Sequence, residues 1–369
     1  MIPSPLDRRD LLHILPTAFW ALALLPACAF AHRRLQLGPE HVVWFVLLGA
    51  YCFPVAALLG ILDRLPETLA SFRVDRARFA LAAAACILLV ALNEIQIGMI
   101  LAANAFVLME FLHSHPRGRA EKLLAMILPA GYFLLGFTLV MLWNDVIASF
   151  RYFASADGFA ASVDRFLLAG YSVPRFSAWW SRYPSALAFL EYVYFFMFNV
   201  MGAVLVLLAI DGGLGRALRA VGIILLAYTA SLACYMIWPA HGPYFGDPHH
   251  FEVFPRTLAS YGIQLRMLEQ GELLWNHADM LPIRGNYFIG FPCMHIVQPL
   301  IAVHFMRHRP RLCRFLIAYT LILVIAILAL DWHYLVDVIG GVPLAWLALR
   351  ALGEHPFRAA GRLPVHIAS

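Results

Sequence analysis

Apolar runs long enough to cross a lipid bilayer recur along the whole chain and are separated by polar or basic segments. A membrane-spanning helix needs about 20 mostly apolar residues. Runs of this kind predict helices at 11–31, 41–62, 79–111, 121–147, 186–210, 217–239, 287–306, 313–331 and 334–352. The run at 79–111 carries Asn93, Glu94 and Gln96 at its centre, and it is either one tilted helix or two short crossings. The pattern predicts an all-α, polytopic transmembrane bundle of about nine or ten helices.

Two long connections interrupt this pattern. Residues 149–185 mix aromatic side chains with arginines and aspartates. That mixture favours amphipathic helices in the headgroup region, with a plain loop outside the membrane as the alternative. Residues 240–286 are polar and contain several prolines, and they are too long for a simple turn. We expect this second connection to cover a functional site.

Composition excludes a soluble protein and a nucleic-acid-binding protein. The chain is 62% hydrophobic and 13% charged, whereas soluble domains carry about 25% charged residues. The net charge of +5 is not arranged in a basic stripe with an aromatic platform, so no nucleic-acid partner is expected. The six cysteines are scattered without close pairs, which favours buried thiols over disulfides. Nothing in the sequence predicts an oligomeric state.

The distribution of arginine predicts the orientation of the chain. On one side, the loops are basic and carry few acids. Their basic residues are Arg117, Arg119, Lys122, Arg216, Arg219, Arg307, Arg309, Arg311, Arg314, Arg350, Arg358 and Arg362. By the positive-inside rule this side is cytoplasmic. We therefore expect a multi-pass protein of the inner (plasma) membrane, with 149–185, 240–286 and 331–333 on the extracytoplasmic face.

The strongest chemical signal begins the last predicted helix, in the segment from Asp331 to Gly341. His333 and Asp337 are four residues apart and share a face if both are helical. A carboxylate there can hold the Nδ1 proton of the imidazole and leave Nε2 free to attack or to carry a proton. The alternative is a polar pair that only caps the helix end.

A second signal is Pro292-Cys293-Met294-His295, which begins another helix on the same side. Proline is favoured at the first helical position, and the free N–H groups that follow form an anion site. His295 would then lie where it can protonate a phosphate ester oxygen. Taken alone, the favoured interpretation is an interfacial histidine hydrogen-bonded to a neighbouring loop; two histidines converging with an aspartate on one membrane face favour catalysis.

A third segment, from Trp238 to Phe245, turns across a helix end on that side. Trp238 and Tyr244 are either substrate contacts or interfacial anchors. The loop histidines and acids show no distinctive metal-ligand spacing and are expected to be solvated. They are His241, His249, His250, His277, Asp247 and Asp279.

Together these segments resemble the type 2 phosphatidic acid phosphatase superfamily. Pro292-Cys293-Met294-His295 is similar to its P-S-x-H element, and His333-x-x-x-Asp337 to its H-x-x-x-D element. The order of the motifs, with 238–244 and 163–174, resembles the inositol phosphorylceramide synthase-like (inositolphosphotransferase) branch. The resemblance implies N-terminal transmembrane helices over 1–112, a six-helix phosphatase-like core over 113–353 and a cytoplasmic tail over 354–369.

The resemblance also implies a mechanism on a lipid phosphate substrate. His333 would form a phosphohistidine, Asp337 would orient it, and His295 would act as acid and then as base. The scheme needs no metal or other cofactor. Substrate phosphate would contact Cys293, Met294, Arg284 and Arg256, with Arg266 as a further candidate, and Trp238, His241 and Tyr244 would position the substrate.

The chain departs from the family pattern at three points. The first element lacks its lysine, Ile327 stands where an arginine is usual, and Cys293 replaces the serine. These departures favour a synthase-like member over a simple phosphatase, with water or an alcohol as acceptor. A different class of function remains open, because polar groups inside a membrane also mark transport pathways. Asn93, Glu94 and Gln96 would then belong to a non-catalytic transporter or assembly factor.

Overall fold

The computed structural model describes residues 155–247, 249–276 and 289–354, the strand residues 36–37 and 282–283, and scattered positions between 129 and 148. The predicted helices at 11–31, 41–62 and 79–111, with Asn93, Glu94 and Gln96, lie outside the described residues, as do His277, Asp279 and Arg284. The chain divides into two compact units. One comprises Met1–Leu37, Gly136–Phe195 and Gly222–Ser369, and the other comprises Gly38–Leu135 and Phe196–Val221.

The described part is helical apart from one short strand pair. Strand β1 (Gln36–Leu37) runs parallel to β2 (Pro282–Ile283). In chain order the helices are α1 (Asp157–Leu167), α2 (Val173–Trp180), α3 (Pro184–Ile237), α4 (Pro243–Gly246), α5 (His250–Val253), α6 (Ala259–Asn276), α7 (Met294–Met306), α8 (Pro310–Ala329) and α9 (Leu335–Ala351). The predicted all-α class is confirmed.

Within the part of the chain that the structure describes, three helical stretches are long and apolar enough to cross a membrane. They are Pro184–Ala209 and Gly215–Ile237 within α3, and Pro310–Ala329, which is α8. Their bounds agree within a few residues with the predictions at 186–210, 217–239 and 313–331. The helix predicted at 287–306 begins later, at Met294, because its N-cap residue Cys293 has extended backbone.

Helix α8 presents an apolar stripe that the rest of the protein does not cover. Ile317, Leu321 and Ile325, spaced four residues apart, are exposed, and Leu321 is 63% exposed. Residues at this spacing share one helix face. Such a face is stable against lipid and unfavourable against water, so it supports the membrane assignment.

Helix α1 is amphipathic, but it buries its acidic face and exposes its aromatic face. Its buried face carries Asp157 and Asp164, whereas Phe159 and Phe166 point away from the protein and Phe166 is 85% exposed. A helix with its aromatic side chains outward fits the headgroup region of a membrane. The helices predicted within 149–185 are therefore present, and the plain-loop alternative is wrong.

Helices α7 and α9 approach closely at the end that carries the two histidine motifs. A Cβ atom on Gly341 would lie 2.9 Å from the carbonyl oxygen of Cys293. Because glycine lacks that atom, the Cys293 N–H can donate to the backbone carbonyl of Asp337 at 3.0 Å. This contact sets the start of α7 directly beside the first turn of α9.

Candidate active site

Four side chains from these two helix starts meet at one point. His333 Nε2 lies 3.3 Å from His295 Nδ1. The other ring nitrogen of His333, Nδ1, lies 3.5 Å from Asp337 Oδ2. The sulfur of Cys293 and one ring nitrogen of each histidine lie within 4.8 Å of one another. The structure therefore brings together the two histidines and the aspartate that the motifs singled out.

The cluster is almost closed to solvent. Cys293 and Asp337 are each 0% exposed and His333 is 4% exposed, while His295 is half-buried. Burial alone lowers the pKa of His333, but the neighbouring Cys293 sulfur and Asp337 carboxylate outweigh burial and raise this pKa to about 10. The site thus stabilises a positive charge on the His333 ring, which is the charge that a phosphorylated imidazole also carries.

His333 reaches this position from outside the helix. Helix α9 begins at Leu335 with Tyr334 as its N-cap residue, and the Asp337 carboxylate accepts the Tyr334 N–H at 2.9 Å. The prediction that His333 and Asp337 share a helix face is wrong in this detail. Asp337 instead forms a capping box with Tyr334 at the helix start. The His333 imidazole approaches the same carboxylate from the segment just before the helix.

A carboxylate from α1 holds the same helix end from the other side. Asp164 Oδ2 accepts the Leu335 N–H at 2.7 Å, and Asp164 Oδ1 accepts the Val336 N–H at 2.9 Å. These are two of the N–H groups that a helix N-terminus leaves without internal partners. Burial raises the pKa of Asp164, and the two N–H donors lower it in part. The Asp164 side chain therefore caps the start of α9, although it lies 171 residues before Leu335 in the chain.

The second carboxylate of α1 fixes the turn between α3 and α4. Asp157 accepts the N–H groups of His241 and Gly242 at 3.0 and 2.9 Å, and it contacts His241 Nδ1 at 3.0 Å. His241 Nε2 in turn contacts the Tyr235 hydroxyl at 3.0 Å. The spacing of seven residues between Asp157 and Asp164 puts both on one helix face. Sequence reasoning missed this pair, although that spacing opposite an aromatic face is a signal that could have found it.

This turn packs between the two segments that carry the histidines. The Gly290 N–H donates to the Ala240 carbonyl at 2.6 Å. Gly242 has a φ of +131°, and a Cβ atom there would lie 2.3 Å from the Trp332 carbonyl oxygen. Both the backbone conformation and the close approach require glycine. The predicted turn across the helix end is thus present, and it holds the site together.

A buried ion pair secures the residues just before His333. His250 Nδ1 lies 2.9 Å from Asp331 Oδ2, and His250 Nε2 lies 2.8 Å from Gln264 Oε1. The Gln264 amide then donates to the Leu330 carbonyl at 2.9 Å. Burial raises the pKa of Asp331, and the histidine lowers it in part. The loop 240–286 therefore reaches the site through His250.

An aromatic stack forms one wall of the site. The ring of Tyr194, from α3, lies 4.5 Å from the His295 ring and 5.3 Å from the Trp332 ring, stacked on both. The Trp332 indole N–H is buried and has no hydrogen-bond partner within the part of the chain that the structure describes. It is a donor available to a bound oxyanion. Sequence reasoning missed Tyr194, because one tyrosine in an apolar aromatic run carries no distinguishing signal.

The predicted positioning residues have mainly structural contacts. Trp238 packs edge-on against Phe159 at 4.6 Å, and Tyr244 packs against Trp332 at 5.6 Å. His241 and His250 are buried in separate networks, so the expectation that the loop histidines are solvated is wrong for these two. His249 is exposed and contacts Glu252.

Arginines on α1 and α2 lie beside Tyr334, the N-cap residue of α9. A groove of about 330 Å³ is lined by Arg165, Arg175, Asp164 and Tyr334, among others. Arg165 donates to the Ser162 hydroxyl, and Arg175 has no ion pair within the described residues. Arg256 is exposed in the turn that precedes α6, and Arg266 is exposed within α6. Arg284 lies outside the described residues.

One group at the site has the composition of a metal-ligand set. The sulfur of Cys293 and one ring nitrogen each of His295 and His333 lie within 4.8 Å of one another. Thiolate and imidazole are the ligands that zinc prefers. The sequence did not suggest this set, because its members come from two motifs about 40 residues apart in the chain.

Comparison with known proteins gives one match. A family model described as the PAP2 superfamily matches residues 161–351, which include most of α1 and the whole histidine cluster. Neither a curated protein nor a solved structure matches the chain.

Proposed function

We propose that this chain, which belongs to the PAP2 superfamily, is a membrane phosphotransferase or phosphatase acting on a lipid-linked phosphate through a phosphohistidine. Membership of the superfamily supports an enzyme that acts on phosphoric esters. The observation that carries the finer proposal is the placement of His333, with one ring nitrogen 3.5 Å from Asp337 and the other 3.3 Å from His295.

In the first step, His333 Nε2 attacks the phosphorus and the bond from phosphorus to the leaving oxygen breaks. The two imidazoles share a proton across their 3.3 Å contact. When that proton moves to His295, it leaves a lone pair on His333 and creates the acid that protonates the leaving oxygen. Asp337 stabilises the positive ring of the phosphohistidine, and the buried Trp332 N–H and the first N–H groups of α7 are available to the equatorial oxygens.

In the second step, His295 takes a proton from the acceptor, whose oxygen attacks the phosphorus. The nitrogen–phosphorus bond breaks and His333 is regenerated. Water as acceptor releases phosphate, and an alcohol yields a new phosphodiester. We infer an alcohol acceptor, as in the inositol phosphorylceramide synthase-like branch, because the chain lacks the lysine, the arginine and the serine of the usual phosphatase pattern. No metal enters either step.

The surroundings of the site fit a lipid substrate. Helix α1 turns its aromatic face outward, and the Asp164 carboxylate on its buried face caps the start of α9. If the aromatic face lies in the headgroup region, the site adjoins that region. The groove lined by Arg165 and Arg175 lies beside Tyr334, next to the nucleophile. We propose that these arginines hold the polar headgroup, a role that the sequence gave to Arg256 and Arg284.

The orientation follows from α7. Arg307 follows the end of this helix, and His295 lies in its first turn, about 18 Å away along the axis. Because the arginine loop is expected to be cytoplasmic, we propose that the site faces the extracytoplasmic side of the plasma membrane.

The test is to trap the covalent intermediate in the purified full-length protein in lipid nanodiscs. The donors are phosphatidic acid, a polyprenyl diphosphate and phosphatidylinositol, each carrying labelled phosphorus and supplied with a chelator. Wild type should acquire an acid-labile, base-stable label. His333→Gln should abolish labelling, whereas His295→Gln should slow turnover and retain label.

His249→Gln is the matched control, because the side chain of this histidine is exposed and contacts the exposed Glu252. Recovery of label as inorganic phosphate identifies a phosphatase, and recovery in a new lipid identifies a transferase. Turnover of any donor by His333→Gln at the wild-type rate contradicts the mechanism.

A further inference from the structure

Cys293, His295 and His333 form a set of soft ligands inside a site whose proposed reaction uses no metal. All three come from helix starts that are fixed by backbone hydrogen bonds, including the 3.0 Å bond from the Cys293 N–H to the Asp337 carbonyl. Their ligand atoms lie within 4.8 Å of one another. We propose that this set is a zinc site, and that a bound zinc ion inhibits the enzyme by occupying the two nitrogens that the reaction needs.

The distances agree with tetrahedral zinc. With zinc–nitrogen bonds of about 2.05 Å, two nitrogens of one tetrahedron are about 3.3 Å apart. The distance from His333 Nε2 to His295 Nδ1 is 3.3 Å. A sulfur ligand at about 2.3 Å from zinc lies about 3.6 Å from each nitrogen. The Cys293 sulfur already lies within 4.8 Å of a ring nitrogen of each histidine, so a small movement of the cysteine side chain brings it to bonding distance.

The surroundings of the three ligands also suit a metal. The nitrogen of His333 that would not bind zinc lies 3.5 Å from the Asp337 carboxylate. This is the carboxylate–histidine–metal arrangement that fixes the ring orientation of metal-bound histidines. The ring of His295 is held by stacking on Tyr194 at 4.5 Å. Three protein ligands leave a fourth position for water or a substrate oxygen.

The cysteine gives this chain its selectivity for zinc. A serine at residue 293, as in the usual family element, offers only a weak hydroxyl ligand, whereas a thiolate favours zinc over magnesium or calcium. The inhibition rests on the proposed function, because it requires His333 and His295 to be the reacting groups. Binding of the ion does not rest on that function.

The experiment measures binding and inhibition separately in the chelator-treated full-length protein. Co²⁺ serves as a spectroscopic probe for binding without substrate, because thiolate ligation produces a charge-transfer absorption band. Zn²⁺ is titrated into the activity assay, with Mg²⁺ as the comparison ion. Cys293→Ser removes the sulfur ligand, and Cys313→Ser is the matched control, since Cys313 is a half-buried thiol on α8.

We expect one equivalent of Co²⁺ with the thiolate band in wild type and Cys313→Ser, and no band in Cys293→Ser. The zinc concentration that halves the activity of each variant, relative to its own metal-free rate, should rise on the order of 100-fold in Cys293→Ser. Should this variant fail to fold, His295→Gln provides the same binding comparison. The same zinc sensitivity in Cys293→Ser, or activation of wild type by zinc, overturns the proposal. Binding without any lipid turnover supports the site and contradicts the proposed function.

Discussion

Replacing Asp164 by alanine should impair catalysis although Asp164 is not one of the reacting groups. The carboxylate, 1% exposed, accepts two backbone N–H bonds of 2.7 and 2.9 Å from the first residues of α9. Hydrogen bonds to a charged group contribute about 1.5–3 kcal/mol each. The cost of burying the carboxylate, visible in its raised pKa, offsets part of this gain. Measured losses of helix caps reach about 2 kcal/mol, and we expect a net loss of about 2 kcal/mol.

The loss should appear both in stability and in rate. At about 2–4 °C per kcal/mol, the midpoint of thermal unfolding in nanodiscs should fall by about 4–8 °C. Leu335 lies two residues after His333, and a displacement of about 1 Å at a reacting group lowers the rate by about 100-fold. We therefore expect kcat for lipid phosphate turnover to fall by about 100-fold, with a smaller change in KM.

Two variants sharpen the comparison. Asp164→Asn retains one acceptor oxygen and should lose about half of the stability. Asp247→Ala removes an acid that accepts the His249 N–H at 3.0 Å in an exposed turn, and it should change kcat by less than about twofold. Wild-type Tm and kcat in Asp164→Ala would refute the assignment of this carboxylate as the cap of the catalytic helix.

Three other substitutions test the site. His333→Gln, which keeps most of the side-chain volume, should lower kcat by about 10⁴-fold; measurable turnover near the wild-type rate would remove His333 from the mechanism. Gly242→Ala places a Cβ atom 2.3 Å from the Trp332 carbonyl and should lower stability by at least about 2 kcal/mol in a denaturant titration. Gly158→Ala, with no atom within 4 Å of the added Cβ, is its control, and equal effects would contradict the close packing. Asp331→Asn breaks the buried pair with His250 and should lower the free energy of unfolding by about 3 kcal/mol. An unchanged thermal midpoint would contradict this expectation.

For the membrane helices that the structure describes, the location was predictable from local sequence. Helix α8 was expected at 313–331 and is Pro310–Ala329, because a run of this length must satisfy its backbone hydrogen bonds internally in lipid. The start of α7 was placed seven residues too early, at 287. The apolar run does begin there, but Cys293 has extended backbone. Hydrogen bonds from Gly290 to Ala240 and from Cys293 to Asp337 hold the residues just before the helix against neighbouring segments.

The membership of the histidine cluster was also predictable, but its support was not. His333 and Asp337 lie close enough in sequence for their contact to be read from spacing. Their contact arises from a bend before the helix, because the Asp337 carboxylate binds the Tyr334 N–H. The aromatic wall of Tyr194 depends on which face of α3 packs against α7 and the 331–334 segment, and no local pattern encodes that choice.

The sequence by itself determined the all-α membrane class, the two histidine motifs and their occurrence on successive helix ends. These are local properties, since hydrophobic runs and short motifs are set by residues that are near neighbours in the chain. Only the tertiary structure decided that Asp164 caps α9 from 171 residues away and that His295 meets His333 across 38 residues. Such contacts depend on how closely helices approach one another. Glycines such as Gly341 permit a close approach, but a glycine in the sequence does not indicate which segment will pack against it.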